Sequence, residues 1–429
     1  MGKKRKAFFI ISVVFFTVCI VSSVPAYAGN GTRLLGFSAR DSGMAGATTA
    51  SSEDTSCLVR NPAGLVRIGN RADVEYLNLI PHDVTMHTEG PGLAALFGQP
   101  LANVDHRQKS TTNYVPAGDA GISYRIPGTD KYPVSVGCGI FSIAGLAVSY
   151  PCPRINQALV GAYDRMIGLM SLRIAPGIAV AFNDKLSFGA TGNIGIQGLK
   201  SDLATTTINA AAFTYPETAG SGKWDFVPGG GFTVGLLYEF NKMLNLGASF
   251  ESPTWMGHHY KYKDTLPIID EPPIINVGLS LKPVKNFEFT YDTRYINWTN
   301  VKIAEEGPGN GGFGWQDQWV FAVGGEYTFK DRKDNDKFKL RLGYNYGKSP
   351  IQSNVVFANA LLPVIMEHHL TTGFSYFLMK DLSFDFVWEH HFKGVQIDNG
   401  TGDQFSRAGN GTEITAAAEV IGAGLGYKF

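Results

Sequence analysis

The residue types best suited to chemistry are nine histidines, six of which form the adjacent pairs His258-His259, His368-His369 and His390-His391. Neighbours on a strand point to opposite faces, so the two members of a pair cannot share one ion. A tight turn centred near Lys380 would instead set His369 opposite His391 on one face, with Glu389 close by. Two imidazoles and a carboxylate suit a divalent metal, and two solvated histidines at a rim are the plainer alternative. The remaining motifs fail on geometry. Gly307-Pro308-Gly309-Asn310-Gly311-Gly312 fits G-x-G-x-x-G but opens no helix that could receive a phosphate. Gly343 to Ser349 has three residues between its glycines where a P-loop needs four. Gly36-Phe37-Ser38, Gly121-Ile122-Ser123 and Gly373-Phe374-Ser375 lack the closing glycine of a nucleophile elbow. No catalytic residue is assigned, no cofactor is expected, and the chain does not read as an enzyme.

Apolar sequence in connecting segments is more informative. Val355 to Met366 carries Val, Phe, Leu, Ile and Met between two strand-like runs, where loops normally run polar. Burying each such side chain is worth roughly 1.5 to 3 kcal/mol, so leaving seven of them wet would forgo on the order of 10 kcal/mol. Leu93, Leu96 and Phe97 repeat the bias in an earlier loop, and Leu159-Val160 with Met166 to Met170 in another. Val356, Phe357, Leu361 and Leu362, with Leu93, Leu96 and Phe97, are therefore candidates for a hydrophobic ligand groove. A structural cap of loops packed on one another is the rival.

The elements that must position these loops are strands. Leu340, Leu342, Tyr344 and Tyr346 alternate with Lys339, Arg341, Gly343 and Asn345; Leu382, Phe384, Phe386 and Trp388 alternate with Ser383, Asp385 and Glu389. That is the period of a half-buried strand. Fourteen such runs are countable, near 72–89, 118–126, 132–145, 169–182, 185–200, 224–240, 243–262, 273–282, 286–300, 316–329, 337–348, 366–378, 382–393 and 412–429. Short connections such as Asn183-Asp184 and Asn241-Lys242 alternate strictly with long ones. A soluble sandwich gives no reason for this, whereas a transmembrane barrel has short periplasmic turns and long outside loops. The aromatic-rich apolar faces suit lipid. The expected fold is an all-β, 14-stranded antiparallel transmembrane β-barrel.

Composition agrees. Charged residues make up 17% of the chain, below the roughly 25% of soluble domains; the six Trp, 18 Tyr and 28 Phe exclude disorder. The 37 basic and 37 acidic residues show no basic excess, so nucleic acid is not an expected partner. Lys3, Lys4, Arg5 and Lys6 precede an apolar run ending in Ala26-Tyr27-Ala28, the layout of a cleaved signal peptide over residues 1–28. An uncleaved anchor is the alternative. A lipoprotein reading through Cys19 is weaker, because Val18 precedes it. Cleavage would remove four of the 37 basic residues and no acidic one, leaving a net charge of −4. Cys57, Cys138 and Cys152 then remain; Cys138 with Cys152, or three unpaired thiols, are both open. Residues 29–70 are small, polar and charged, fit for a tail or an inserted plug, and 71–429 hold the barrel. Fourteen strands enclose room for a plug, whose charges could pair with lumen candidates Glu288, Asp292, Arg294, Lys339, Arg341, Asp385 and Glu389.

Ser42-Gly43-Met44-Ala45-Gly46-Ala47 and Asn61-Pro62-Ala63-Gly64-Leu65, then Leu340 to Tyr346, Ser349-Pro350, Pro363, His368-His369 and Gly373 to Tyr376 follow in an order that resembles the FadL/TodX-type family of outer-membrane transporters. The resemblance implies a monomeric barrel closed by an N-terminal hatch carrying Asn61, Pro62 and Ala63. It implies passive uptake of long-chain fatty acids or hydrocarbons through an apolar groove, an internal pocket and a sideways exit at a kinked third strand. Gly137 and Gly139 are the candidates for that kink, since glycine is where a strand bends. The expected partners are a hydrophobic small molecule, outer-membrane lipid and the barrel assembly machinery, which the terminal Phe429 would address. An adhesin or structural barrel binding a partner through its loops, and a nonspecific porin, are the alternatives.

Overall fold

The computed structural model describes residues 29–88, 106–150, 165–201, 223–263 and 266–429. The signal sequence, Leu93, Leu96, Phe97 and Cys152 lie outside these residues. Seventeen hydrogen-bonded segments form one antiparallel sheet. Three strands are each interrupted once, so the segments make fourteen strands: β1 Arg71–Thr88, β2 His106–Lys109 with Val115–Arg125, β3 Val134–Tyr150, β4 Arg165–Ile174 with Gly177–Ala181, β5 Leu186–Ser201, β6 Asp225–Glu239, β7 Leu244–Glu251 with Trp255–Met256, β8 Ile274–Val284, β9 Phe287–Ile296, β10 Gln318–Lys330, β11 Asp336–Gly347, β12 His368–Met379, β13 Leu382–Ile397 and β14 Glu413–Lys428. The first and last pair antiparallel from Arg71↔Lys428 to His87↔Glu413, which closes the barrel and leaves the sheet no free edge. No described helix is long and apolar enough to cross a membrane.

Alternation sets the two faces. On β11 Leu340, Leu342 and Tyr344 are exposed to the outside, while Lys339 and Arg341 are buried inside. A cation at mid-membrane on the outer face would cost roughly 2 to 4 kcal/mol, so one register is strongly preferred. The short turns are built by side chains. Asn183 Oδ1 accepts the N–H groups of Lys185 (2.9 Å) and Leu186 (2.8 Å), and Asn241 Oδ1 those of Met243 (2.8 Å) and Leu244 (3.0 Å). Each is an Asx turn.

Residues 29–70 thread the lumen and are buried almost throughout. Their helices are short: α1 Ala39–Gly43, α2 Cys57–Arg60 and α3 Leu65–Ile68, with a 3-10 turn at Pro62–Gly64. Ser38 caps α1 by accepting the Asp41 N–H, and Asp41 Oδ2 accepts the N–H of Phe37, the residue before the cap, at 3.0 Å. Among the described residues Cys57 and Cys138 are free thiols, the first buried and the second exposed.

Candidate functional site

The Asn61-Pro62-Ala63 segment is seated on bare backbone. Asn61 Oδ1 accepts the Ala63 N–H at 3.2 Å and so starts the 3-10 turn, while its Nδ2 donates to Thr49 O (2.7 Å) and to Leu236 O on β6 (3.0 Å). A Cβ at Gly189 would collide with Pro62 and Ala63, one at Gly235 with Asn61, and one at Gly247 with Thr49. Glycines on three neighbouring strands thus form a seat that only this close approach explains.

Around the seat, hatch charges meet wall charges. Arg40 lies 3.2 Å from Glu53, 3.5 Å from Glu288 and 3.6 Å from Glu326. Lys339 bridges Glu53 (2.6 Å) and Glu326 (2.9 Å), and Arg341 holds Glu326 at 2.7 Å. Asp292 accepts the Thr49 N–H (3.0 Å), and Arg294 donates to Gly46 O (3.4 Å). Glu53, Glu288 and Glu326 could by spacing hold a metal, but three cations already fill the space between them. A second cluster joins Arg33 on the hatch to Glu251 at 2.9 Å, with Arg173 at 2.7 Å from Glu251 and 2.5 Å from Glu271. Such pairs add little net stability, but removing one partner strands a buried charge, so they fix position.

The wall opens at β3. Its backbone ladder to β2 ends at Ala120↔Ile140, and above that point the link to β2 runs through side chains: Ser142 N–H donates to Asp119 Oδ1 (2.6 Å), and the Ser142 hydroxyl donates to Gly118 O (3.0 Å) and accepts the Gly118 N–H (3.1 Å). Backbone pairing with that segment returns only at Thr111 N–H to Ser149 O (2.8 Å). In the gap β3 leans inward, with every residue from Phe141 to Val148 buried, and the hatch takes over as its partner. Leu34 N–H donates to Ile143 O (3.2 Å) and Gly145 N–H to Thr32 O (3.0 Å), flanking an Arg33↔Ala144 bridge. The irregularity on β3 is a register shift at Ser142/Ala144; Gly137 and Gly139 sit in regular pairing with Ser123 and Gly121. The register shift thus lies C-terminal to the two glycines expected to mark a kink. Their bareness has another cause: a Cβ on Gly139 would strike the Phe141 ring, and one on Gly137 would press Leu65 at 2.9 Å.

The apolar loop does not line an outer groove. Val356, Leu361 and Leu362 are buried in one cluster with Trp298, Ile303, Trp315, Val364 and Ile365, and Phe357 is half-buried. Apolar side chains bathed in water gain more by packing on one another, so the loops form a cap. Asn359 pins it: its Nδ2 donates to Phe313 O (2.8 Å) and Val355 O (2.9 Å), and Trp315 Nε1 donates to its Oδ1 (2.8 Å). Under the cap lies an apolar cavity of about 40 Å³, lined by Ile167, Leu169, Leu199, Trp298, Ile303, Ala304, Phe313, Trp315 and Leu362, and closed below by Thr32, Arg33 and Ala144. Of the proposed groove residues that are among the described ones, Leu362 alone lines it. A smaller cavity of about 10 Å³ lies beyond the same hatch segment, against Leu34, Leu35, Gly36, Leu77 and Ala117. Segment 32–36 thus lies between the two cavities, Thr32 and Arg33 lining the capped one and Leu34 to Gly36 the smaller.

The sequence matches, over residues 18–429, the family described as outer membrane protein transport protein (OMPP1/FadL/TodX). The chain belongs to this family. Comparison with curated protein sequences finds no match. Solved structures agree in fold. The Pseudomonas putida toluene transporter TodX is 16% identical at a TM-score of 0.65, with 92% of this chain and 99% of that one covered. A Pseudomonas aeruginosa FadL homologue is 14% identical at 0.63, covering 93% and 100%. The Ralstonia pickettii toluene transporter TbuX is 17% identical at 0.61, covering 92% and 99%. At such identities the likeness carries the barrel architecture alone.

As a turn centred near Lys380 requires, His369 and His391 stand opposite each other in register, with ring centroids 4.6 Å apart. Both are buried, and His391 Nε2 pairs with Glu389 at 2.8 Å. Glu389 is the only carboxylate in this group, and its His391 contact is an ordinary hydrogen bond. Ser142 and Asp119 carried no sequence signal, and Arg33 stood out only as one of the charges of segment 29–70, because their roles depend on which strands and hatch residues meet. The glycines were the one feature that alternation could have flagged: Gly189, Gly235 and Gly247 all fall on inward positions.

Proposed function

We propose that this outer-membrane protein is a passive channel for hydrophobic small molecules, carried through the capped cavity, past hatch segment 32–36 and out through the β2–β3 gap. The observation that supports this best is the continuity of the parts. One short segment, held to β3 by the Arg33↔Ala144 bridge and its two flanking bonds, is the barrier between an apolar pocket and the opening in the wall. The cavity is about 40 Å³, against the roughly 150 Å³ of an apolar cavity that holds benzene. A ligand must therefore displace its walls, and the parts outside the continuous barrel ladder are the cap and segment 32–36, which joins β3 by one bridge and two flanking bonds. A ligand shifts that equilibrium only by binding the open form better. A polar porin is disfavoured, since the lumen is filled by the hatch and its charges are paired.

The test enlarges a side chain in the cavity. Ala304→Phe should reduce toluene uptake by expressing cells to the level of cells lacking the gene, with the barrel still heat-modifiable on gels. Unchanged uptake in the folded variant would contradict the route.

A further inference from the structure

The cavity's wall is apolar on all sides but one, where Arg33, Asp270 and Glu271 enter the lining with Ser171 and Gln197. Most of these polar groups are already engaged. Gln197 Nε2 donates to Ser171 Oγ (3.3 Å), and its Oε1 meets His259 Nε2 at 3.1 Å. Asp270 Oδ1 accepts the Met256 N–H at 2.6 Å. Arg33 is different. Its Nη2 is held by Glu251, but its Nη1 stands 3.6 Å from Glu271, beyond hydrogen-bond length, and has no acceptor among the described residues. The side chain is 4% exposed. A buried charged donor with nothing to bond is costly, and an acceptor that reaches it is correspondingly favoured.

Charge decides what kind of acceptor. Arg33 and Arg173 bring two positive charges, while Glu251, Glu271 and Asp270 bring three negative ones, so the polar end is net negative. An ionised carboxylate arriving there meets two carboxylates, Glu271 and Asp270, in the same lining, and like charges at close range repel strongly. A neutral oxygen meets no such barrier.

Resting on the channel reading above, we propose that the cavity selects neutral amphiphiles: an apolar body against Trp298, Trp315 and Phe313, and one uncharged acceptor oxygen, as in a ketone, ester or alcohol, on Arg33 Nη1. Ionised acids are rejected.

Three ring probes of similar size separate the possibilities: toluene without an acceptor, acetophenone with a neutral one, and benzoate with a charge. Titration calorimetry on the purified full-length barrel at pH 7.5 should give acetophenone about tenfold tighter than toluene, as one added hydrogen bond to a charged donor allows, and no binding of benzoate. Arg33→Met should equalise toluene and acetophenone. Because Arg33 also braces the hatch, Glu271→Gln supplies a second arm that leaves it in place: removing one negative charge should bring benzoate into measurable range. Toluene binding as tightly as acetophenone, or benzoate binding to the unaltered protein, overturns the proposal while leaving the channel reading intact. If none of the three binds and Ala304→Phe leaves uptake unchanged, the cavity reading itself falls, and this proposal with it.

Discussion

Asn61 makes three hydrogen bonds in a fully buried position, and no other side chain in the hatch ties its own turn, a neighbouring loop and the wall together. Asn61→Ala should cost about 1 to 3 kcal/mol of local stability by leaving Thr49 O and Leu236 O without their donor. Hydrogen exchange of residues 47–65 should rise accordingly while the strands keep their protection; unchanged exchange would show that the seat does not depend on it. Gly235→Val should do the same from the opposite side, since its side chain would occupy the place of Asn61 Oδ1. Both effects are packing statements, and neither requires a ligand. Sequence reasoning reached Asn61, Pro62 and Ala63 through resemblance alone. Nothing in those letters shows that their partners are absent side chains on β5, β6 and β7.

The strands were legible because their period is short and local: each run declares two faces, and each Asn-containing turn declares its own hydrogen bonds. The loops were legible only in part. Their apolar content correctly required burial, but burial in a cap and burial against a ligand satisfy the same hydrophobic demand, and only the long-range contacts among 298–315 and 351–366 distinguish them. The register shift in β3 was not legible for a related reason. Glycine marks where a backbone can bend, whereas the observed shift follows from where the hatch supplies alternative hydrogen bonds, at Ile143 and Gly145. The cap carries its own expectation. Asn359→Ala removes the pin between its two loops, and trypsin or chymotrypsin should then cleave within 301–315 or 349–365 at least severalfold faster than in the unaltered protein. Equal cleavage rates would mean that apolar packing alone holds the cap. Phe357→Asp with Leu361→Asp, by contrast, would unseat the cap rather than test an outer groove, because Leu361 is buried.

For the whole molecule, the hatch is held by charge as well as by shape, and this makes its docking pH-dependent. Burial alone would raise the half-buried Glu53 carboxyl, but Arg40, Lys339 and Arg341 together hold it well below the usual carboxylate range. A depressed folded value means that its contribution is fully present above the unfolded value of about 4.3 and is lost as pH falls below it. The Glu53 contribution to hatch protection in hydrogen exchange should therefore be lost in buffer more acidic than about pH 4.3, with Glu53→Gln weakening protection at neutral pH. The central claim is that segment 32–36 must leave β3 for a solute to pass. Thr32→Cys with Gly145→Cys places two thiols on the paired residues beside the Arg33↔Ala144 bridge, in a chain whose Cys138 and Cys152 are replaced by Ser. Toluene uptake by cells carrying this variant is expected to fall to the level of cells without the gene when the bridge is oxidised, and to return on reduction; equal uptake in the two states, with the bridge verified by mass, would contradict it.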